Sequence, residues 1–353
     1  MVEIGRRKYG KRQILERVGD VSQIGGATPS VVSEGRGEGV RIVSVKTGSG
    51  LTFTVVPSRA LDIAWADWKG QAIGFISKTG LCGPGLYESR RDEFHRNFFA
   101  GLLTTCGLLN TGPPCVDRGV PYEHHGRLSN IPAHDVAVSG DWTDDEEYAI
   151  TVAGKVRLSK LYEENLLLSR RIETKLGSRT LLIRDRVENQ GARREELMVL
   201  YHFNFGFPLL DDGAVMMTSP GQVTPRDEAA AAGLDRCRSM EKPTEHWPET
   251  VFFHRPSPGR RASAVLFNPA LGPTGLGAYV RYDPAQLPWL TEWKQMGQGD
   301  YVVAMEPGTY PPVGRDKARR DGGLLTIAPG EARDFELELG MVESEQEARA
   351  IVG

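Results

Sequence analysis

Apolar and polar residues alternate through three consecutive segments of this 353-residue chain, and this alternation is the strongest constraint on its fold. The segments cover 149–158, 166–175 and 180–188, and turn residues such as Asn165 and Gly177 separate them. A period of two places alternate side chains on opposite faces of a β-strand. Shorter segments at 40–45 and 51–56 repeat the pattern. A parallel α/β fold would require a helical pattern between the strands, and the sequence shows none. The pattern therefore predicts an all-β sandwich or barrel with a few short helices.

The length and punctuation of the chain favour one large domain. Forty-one glycines and 22 prolines break the sequence into short elements, but no linker-like segment divides it. We therefore expect a single domain over 1–353, with 1–35 as an N-terminal extension packed on it. An alanine-rich stretch at 227–232 predicts a surface helix or lid.

Composition excludes several classes of function. Forty-three basic residues against 46 acidic ones give a net charge of −3, which offers no bulk attraction for nucleic acid or a membrane surface. The four cysteines match neither a zinc spacing nor a redox pair, and nothing resembles a signal peptide or a membrane span of about 20 apolar residues. We expect a cytoplasmic protein that binds a small molecule, and whether it forms a homodimer stays open.

The segment 200–208 alternates large aromatic residues with small polar ones, so a strand here has two different faces. The aromatic face comprises Tyr201, Phe203, Phe205 and Phe207. Its burial would set the register and place His202, Asn204 and Gly206 together on the opposite surface. This surface is either an ordinary solvent face or a ligand-binding face, on which a glycine leaves room for a ligand near the backbone.

Glu306 ends a strongly apolar segment, 301–305, and precedes a proline and a glycine. A carboxylate at the end of a buried strand is either solvated at the rim of the sheet or directed into a cleft. In a cleft, loss of water would raise its pKa above about 4.3, toward the range of a general base.

Further polar residues cluster at 121–128, where Glu123, His124, His125 and Arg127 follow one another. Three potential metal ligands in a row suggest a metal site, but in a strand Glu123 and His125 would share a face while His124 points away. We expect no metal, and a ligand-binding role for His124 or His125 together with Arg127.

Arg59, Trp293 and Lys294 complete the candidates. Arg59 offers a rigid fork of donors for hydroxyl or carboxylate oxygens, and its alternative partner is Asp62. Trp293 suits stacking on the apolar face of a sugar ring or ordinary core packing. Lys294 is a candidate for a polar contact with a ligand.

Several segments together, in this order, resemble the galactose mutarotase-like (aldose 1-epimerase) superfamily, and in particular one of its little-characterised bacterial branches. They are Ser-Arg-Ala-Leu-Asp-Ile from position 58, Thr-Thr-Cys-Gly-Leu from 104, His-His-Gly-Arg-Leu-Ser-Asn from 124, Tyr-His-Phe-Asn-Phe-Gly from 201 and Met-Glu-Pro-Gly from 305. The resemblance implies a large antiparallel β-supersandwich whose concave sheet holds a sugar, with no cofactor.

The resemblance also implies roles for individual residues. His202 matches the family histidine that acts as general acid toward the ring oxygen, and Glu306 the glutamate that takes the proton from the anomeric hydroxyl. His125 with Gly126 matches a substrate-binding pair, and Arg59 the family's early arginine. The aspartate that grips sugar hydroxyls in typical members is not placed by the sequence.

The implied activity is interconversion of the anomers of a monosaccharide by acid–base ring opening. Three alternatives stay open: a non-catalytic carbohydrate-binding or sensing protein, an isomerase or lyase acting on a sugar acid held by Arg59 or Lys294, and a metal enzyme using Glu123 and His125.

Overall fold

The computed structural model describes residues 2–5, 7–89 and 93–353. The first strands are β1 (Val2–Ile4), β2 (Arg7–Tyr9), β3 (Gly26–Val31), β4 (Arg41–Lys46), β5 (Leu51–Val56), β6 (Asp62–Trp68), β7 (Gln71–Ala72), β8 (Phe75–Ile76), β9 (Ala100–Gly101), β10 (Leu103–Leu108), β11 (Cys115–Asp117), β12 (Val120–Tyr122) and β13 (His134–Trp142). The later strands are β14 (Tyr148–Ser159), β15 (Asn165–Lys175), β16 (Thr180–Asn189), β17 (Glu195–Phe205), β18 (Val215–Thr218), β19 (Gly221–Pro225), β20 (Thr250–Pro256), β21 (Ala262–Asn268), β22 (Leu276–Tyr282), β23 (Trp289–Gly297), β24 (Asp300–Gly308), β25 (Leu325–Ile327) and β26 (Ala332–Val342). The α-helices are α1 (Lys11–Leu15), α2 (Phe94–Asn97), α3 (Glu228–Ala231), α4 (Arg315–Arg320) and α5 (Glu345–Val352).

Two large antiparallel sheets dominate the described part of the chain. The larger, of 12 strands, runs β19-β20-β23-β24-β17-β10-β6-β5-β4-β3, with β25 joined to β17 and β7 to β6. The smaller, of eight strands, runs β13-β14-β15-β16-β26-β22-β21-β18. The alternating segments of the sequence form β4, β5, β14, β15 and β16 in this architecture. The predicted all-β supersandwich with short helices is therefore confirmed.

The main core lies between the two sheets. Phe203 and Phe205 of the larger sheet pack in one buried cluster with Ile172, Ile183 and Leu337 of the smaller sheet. The strand predicted at 200–208 ends at Phe205, and Phe207 is largely exposed. The prediction that Phe207 belongs to the core face is wrong, because the alternation of faces stops where the strand ends.

A buried polar network also crosses this core. The Arg170 guanidinium donates to both Asp185 carboxylate oxygens at 2.8 and 2.6 Å and to Asp62 Oδ1 at 3.2 Å. Tyr201 donates to the same Asp185 carboxylate at 2.7 Å. The network joins the two sheets, because Arg170 and Asp185 belong to the smaller sheet and Asp62 and Tyr201 to the larger one. Its charged groups are buried, so each depends on its partners in place of water.

The N-terminal region contributes to the larger sheet. β3, which lies within the predicted extension 1–35, pairs with β4 at the edge of that sheet. Val2 and Ile14 pack against Leu176 in a separate small cluster. The division into one domain with an extension stays a prediction. No helix among the described residues has the length and apolarity to span a bilayer.

Candidate active site

The strand register places His202 and Glu306 side by side on the larger sheet. β17 pairs with β24 so that Phe203 lies opposite Met305, which puts His202 beside Glu306 on the face turned away from the core. On the neighbouring strands, Thr291 lies opposite Glu306 and Thr104 opposite His202. Four strands therefore present one polar row on the same face.

His202 and Glu306 are close and buried. His202 Nε2 lies 3.3 Å from Glu306 Oε1, and the two residues are 4% and 2% exposed. The contact lacks the alignment of a hydrogen bond, since Glu306 Oε1 has no hydrogen-bond partner within the protein. Both groups therefore retain the capacity to bond a third molecule.

Further buried polar atoms without a protein partner lie on this face. They are His202 Nδ1, Asn204 Oδ1 and Thr291 Oγ1, in addition to Glu306 Oε1. Only the oxygen of the Asn204 side chain lacks a partner, because its Nδ2 group donates to Ala100 O, Gly101 O and His202 O. Buried polar atoms are normally satisfied, and a cluster of exceptions on one face of three adjacent strands is typical of a site that bonds a polar ligand.

Burial sets the charge of the pair. Loss of water lowers the pKa of His202 to about 3. Loss of water, reinforced by Glu249, raises the pKa of Glu306 well above its ordinary value, and Arg226 acts in the opposite direction. Burial thus favours a pair that holds one proton and no net charge, so that one member can donate a proton while the other accepts one.

Aromatic rings surround the pair. The ring of Phe98 lies 5.3 Å from the His202 ring, that of Trp293 5.5 Å and that of His125 5.7 Å, all edge to face. His124 stands behind His125 and stacks on Phe94 with ring centroids 4.8 Å apart. The wall combines flat apolar surfaces with ring N–H groups, as sites for sugars often do.

Backbone geometry orients His125. The Gly112 N–H donates to His125 Nδ1 at 3.2 Å, so the ring proton of neutral His125 belongs on Nε2. Loss of water and the neighbouring histidines, His124 first, hold the pKa of His125 well below its ordinary value. Gly126 has a positive φ of 68°, and an added Cβ would lie 2.5 Å from Gly107 O. His125 is therefore held as a neutral hydrogen-bond donor in a turn that requires glycine.

A charged group that the sequence reasoning missed completes the wall. Arg226 Nη1 donates to Glu249 Oε1 at 2.9 Å, and Glu249 Oε2 accepts from the Trp293 indole N–H at 2.9 Å. Arg226 follows β19 and Glu249 precedes β20, so they stand at the two ends of the same excursion from the sheet. In the sequence, Arg226 could have been noticed only because it immediately precedes the alanine-rich stretch 227–232. That stretch forms α3, as predicted.

Three of the predicted binding residues lie apart from this cluster. Arg59 is 1% exposed and donates to Ser129 O at 2.5 Å, Cys82 O at 2.9 Å and Asn97 O at 3.3 Å, which supports the segment that carries Phe98. Arg127 is half-exposed and bonds Glu123 at 2.7 Å. A sugar contact by either residue stays a prediction that these contacts do not favour.

Lys294 lies on the opposite face of its strand from Trp293. It pairs with Val303, a core residue, whereas Trp293 pairs with Ala304 on the face of Glu306. Its amino group binds Arg236 O, Ser239 O and Glu241 Oε2. Its direct contact with a ligand at the His202 site also stays a prediction that the geometry does not favour.

Metal binding finds no geometric support in the part of the chain that the structure describes. No group of three or more histidine, cysteine, aspartate or glutamate side chains there is arranged to hold an ion. Glu123, one of the two residues considered for a metal, instead binds Arg127.

Comparisons with known proteins concern the family and the fold of the chain. A family model described as "Domain of unknown function (DUF4432)" matches residues 37–341. A Klebsiella pneumoniae crystal structure, whose assignment as an aldose 1-epimerase is provisional, is 25% identical with a TM-score of 0.86, covering 94% of this chain and 91% of that one. No curated protein matches the sequence.

More distant structures share the architecture. A galactose mutarotase-like protein from Clostridium acetobutylicum is 14% identical with a TM-score of 0.61, covering 91% of this chain and 99% of that one. A galactose 1-epimerase from Lactobacillus acidophilus is 13% identical with a TM-score of 0.57, covering 90% and 99%. The resemblance to the galactose mutarotase-like superfamily is thus confirmed at the level of fold.

Proposed function

The chain belongs to the DUF4432 family, and on that premise we propose that it binds a monosaccharide on the outer face of the larger sheet and interconverts its anomers. The observation that carries the proposal is the buried His202–Glu306 pair, 3.3 Å apart, whose unpartnered atoms face the same side as those of Asn204 and Thr291. The provisional assignment of the Klebsiella pneumoniae protein supports the same reaction.

The proposed chemistry needs one proton donor and one acceptor at adjacent oxygens. The anomeric hydroxyl and the ring oxygen of a cyclic hemiacetal are attached to the same carbon. Glu306 takes the hydroxyl proton, the bond from the anomeric carbon to the ring oxygen breaks, and protonated His202 donates to that oxygen. Rotation of the open-chain aldehyde followed by the reverse transfers gives the other anomer and restores the pair.

The single proton of the pair accounts for both directions of the reaction. Burial by itself favours the uncharged arrangement, with the proton on Glu306. Transfer of that proton to His202 gives the arrangement assigned above, and it requires the two side chains, now 3.3 Å apart, to move into hydrogen-bond alignment. Sugar hydroxyls that bond to both groups would lower the cost of this charge separation.

The surrounding wall supplies recognition in this proposal. Trp293 and Phe98 present ring surfaces to the apolar faces of the sugar, and His125 donates through Nε2. Arg226 offers a donor and Glu249 an acceptor for hydroxyl groups, and Glu249 is a carboxylate in a role for which the sequence placed none.

The test is the rate of anomer interconversion of D-galactose and D-glucose, measured by polarimetry or saturation-transfer NMR. We expect Glu306→Gln and His202→Gln each to reduce the rate at least about a hundredfold, the usual contribution of one proton-transfer group. A wild-type rate in either variant would remove the role assigned to that residue.

A second buried pair provides a matched control. His254 Nε2 lies 2.9 Å from Glu292 Oε2 on the opposite face of the same sheet, and both residues are buried. Glu292→Gln and His254→Gln remove comparable buried groups without touching the proposed site, so folded variants should keep the wild-type rate. Sugar binding by calorimetry without any rate enhancement in the wild type would instead identify a carbohydrate-binding protein.

A further inference from the structure

Lys294 makes a set of contacts on the reverse side of the sheet that the proposed reaction does not use. It is 2% exposed, and its amino group donates to Ser239 O at 2.6 Å and Arg236 O at 3.2 Å and pairs with Glu241 Oε2 at 2.6 Å. All three partners belong to residues 226–250, which leave the sheet after β19 and rejoin it at Thr250, the first residue of β20. Lys294 therefore ties the middle of this excursion, called the 226–250 segment below, to the sheet.

The same amino group lies under the ring of Trp247, 5.8 Å from its centroid. Trp247 is two residues before Glu249, whose carboxylate bonds both Arg226 and Trp293 in the wall of the site. Lys294 on one face is thus connected, through the Trp247 ring and two residues of backbone, to Glu249 on the other.

The contacts of this part of the segment with the sheet are mainly polar. A cavity of about 160 Å³ lies between the segment and the sheet, bordered by Ala232, Trp247, Pro248, Phe252 and Lys294. Backbone hydrogen bonds from the Thr244 N–H to Met296 O at 2.8 Å and from the Gln298 N–H to Thr244 O at 3.2 Å also hold the segment on β23. Lys294 therefore shares the support of the segment with these bonds, and its own contribution includes the part that carries Trp247, whose ring it contacts.

We propose that Lys294 is a positioning residue that acts from behind the sheet to hold Glu249, and through it Arg226, in the substrate-facing wall. The proposal rests on the proposed function for its kinetic consequence but not for its structural one. His202 and Glu306 stand on β17 and β24, whose mutual pairing does not depend on the 226–250 segment. Loss of the tether should therefore weaken substrate binding more than it slows proton transfer.

The experiment compares Lys294→Met with Lys294→Arg and Glu241→Gln. We expect Lys294→Met to raise KM for D-galactose about tenfold, the scale of one lost hydrogen bond to substrate, with a smaller change in kcat. Lys294→Arg should restore most of the affinity, because it retains a cation and donors. Glu241→Gln should fall between the wild type and Lys294→Met, because the two carbonyl contacts remain. The matched control is Lys78→Met, which removes an exposed lysine paired with Asp300 at 2.7 Å and should change neither constant.

Hydrogen exchange separates this proposal from the proposed function. In Lys294→Met, peptides covering 236–250 should exchange about tenfold faster, including the Thr244 amide that bonds Met296 O, while peptides of β17 and β24 stay protected. This result would support positioning even if the wild type shows no anomerase activity. Unchanged exchange in 236–250, a uniform loss of protection, or a raised KM without a local change in exchange would each overturn it.

Discussion

Replacing His202 with glutamine should change how the stability of the protein depends on pH. The folded protein holds the pKa of His202 at about 3, against an ordinary value of 6.5, because burial removes water from the ring. Between these two values the unfolded chain binds a proton that the folded chain excludes. The uncharged His202 ring therefore costs no stability above pH 6.5. As the pH falls from 6.5 toward 3, it lowers the free energy of unfolding progressively.

The magnitude follows from the distance in pH. Each pH unit below 6.5 costs about 1.4 kcal/mol while the folded ring stays neutral, so the free energy of unfolding falls by about 3 kcal/mol from this residue alone at pH 4.5. This figure depends mainly on the unfolded pKa, because pH 4.5 still lies above the folded one. Glu306 has the opposite slope, since its raised pKa removes stability as the pH rises above 4.5, but it is present in both proteins.

The assay is urea unfolding followed by tryptophan fluorescence at several pH values between 4.5 and 7.5, for the wild type and His202→Gln. The difference in free energy of unfolding should shift by about 3 kcal/mol across this range, in favour of the variant at low pH. His246→Gln removes an exposed imidazole and controls for the loss of one titratable ring from the chain. Parallel curves for the wild type and His202→Gln would refute the reasoning that the folded state keeps this ring uncharged.

Two further substitutions test the scaffold and the site wall. Arg170→Met leaves two carboxylates in the core without their cation and should cost about 3–5 kcal/mol in urea unfolding at pH 7; a loss below about 1 kcal/mol would contradict the network's importance. Gly112→Ala would place a Cβ 2.2 Å from Pro312 O and disturb the N–H that orients His125. We therefore expect a lower temperature of thermal unfolding and a weaker affinity for D-galactose. Gly119→Ala shares the positive φ but meets open space, and equal effects of the two substitutions would rule out the clash.

Much of the fold was predictable because its signals are local. Strands β14, β15 and β16 follow the alternating segments closely, and the face that carries His202 follows from the aromatic residues on either side of it. A strand that buries one face must alternate, whatever its partners are. Because adjacent residues of a strand point to opposite faces, Trp293 and Lys294 could not both face one ligand.

Only the family resemblance predicted that His202 and Glu306 act together, because the residues of each segment by themselves did not connect them. Each segment indicates a strand, but neither indicates which strand is its neighbour or which residue lies opposite. The register of β17 against β24 places the two groups together, across more than a hundred residues of chain. Arg226 and Glu249 are harder still, because loop residues carry no periodicity that would reveal their direction.

The order of apolar and polar side chains was enough to predict an all-β chain and the course of several of its strands, such as β14, β15 and β16, because burial of a strand depends on its own pattern. The position of Arg59, the turn of Lys294 toward the reverse side and the meeting of Arg226 with Trp293 through Glu249 depend on which strands become neighbours and on how a 25-residue excursion packs back on them. Such contacts join residues far apart in the chain, and their energies exist only after the sheets have assembled.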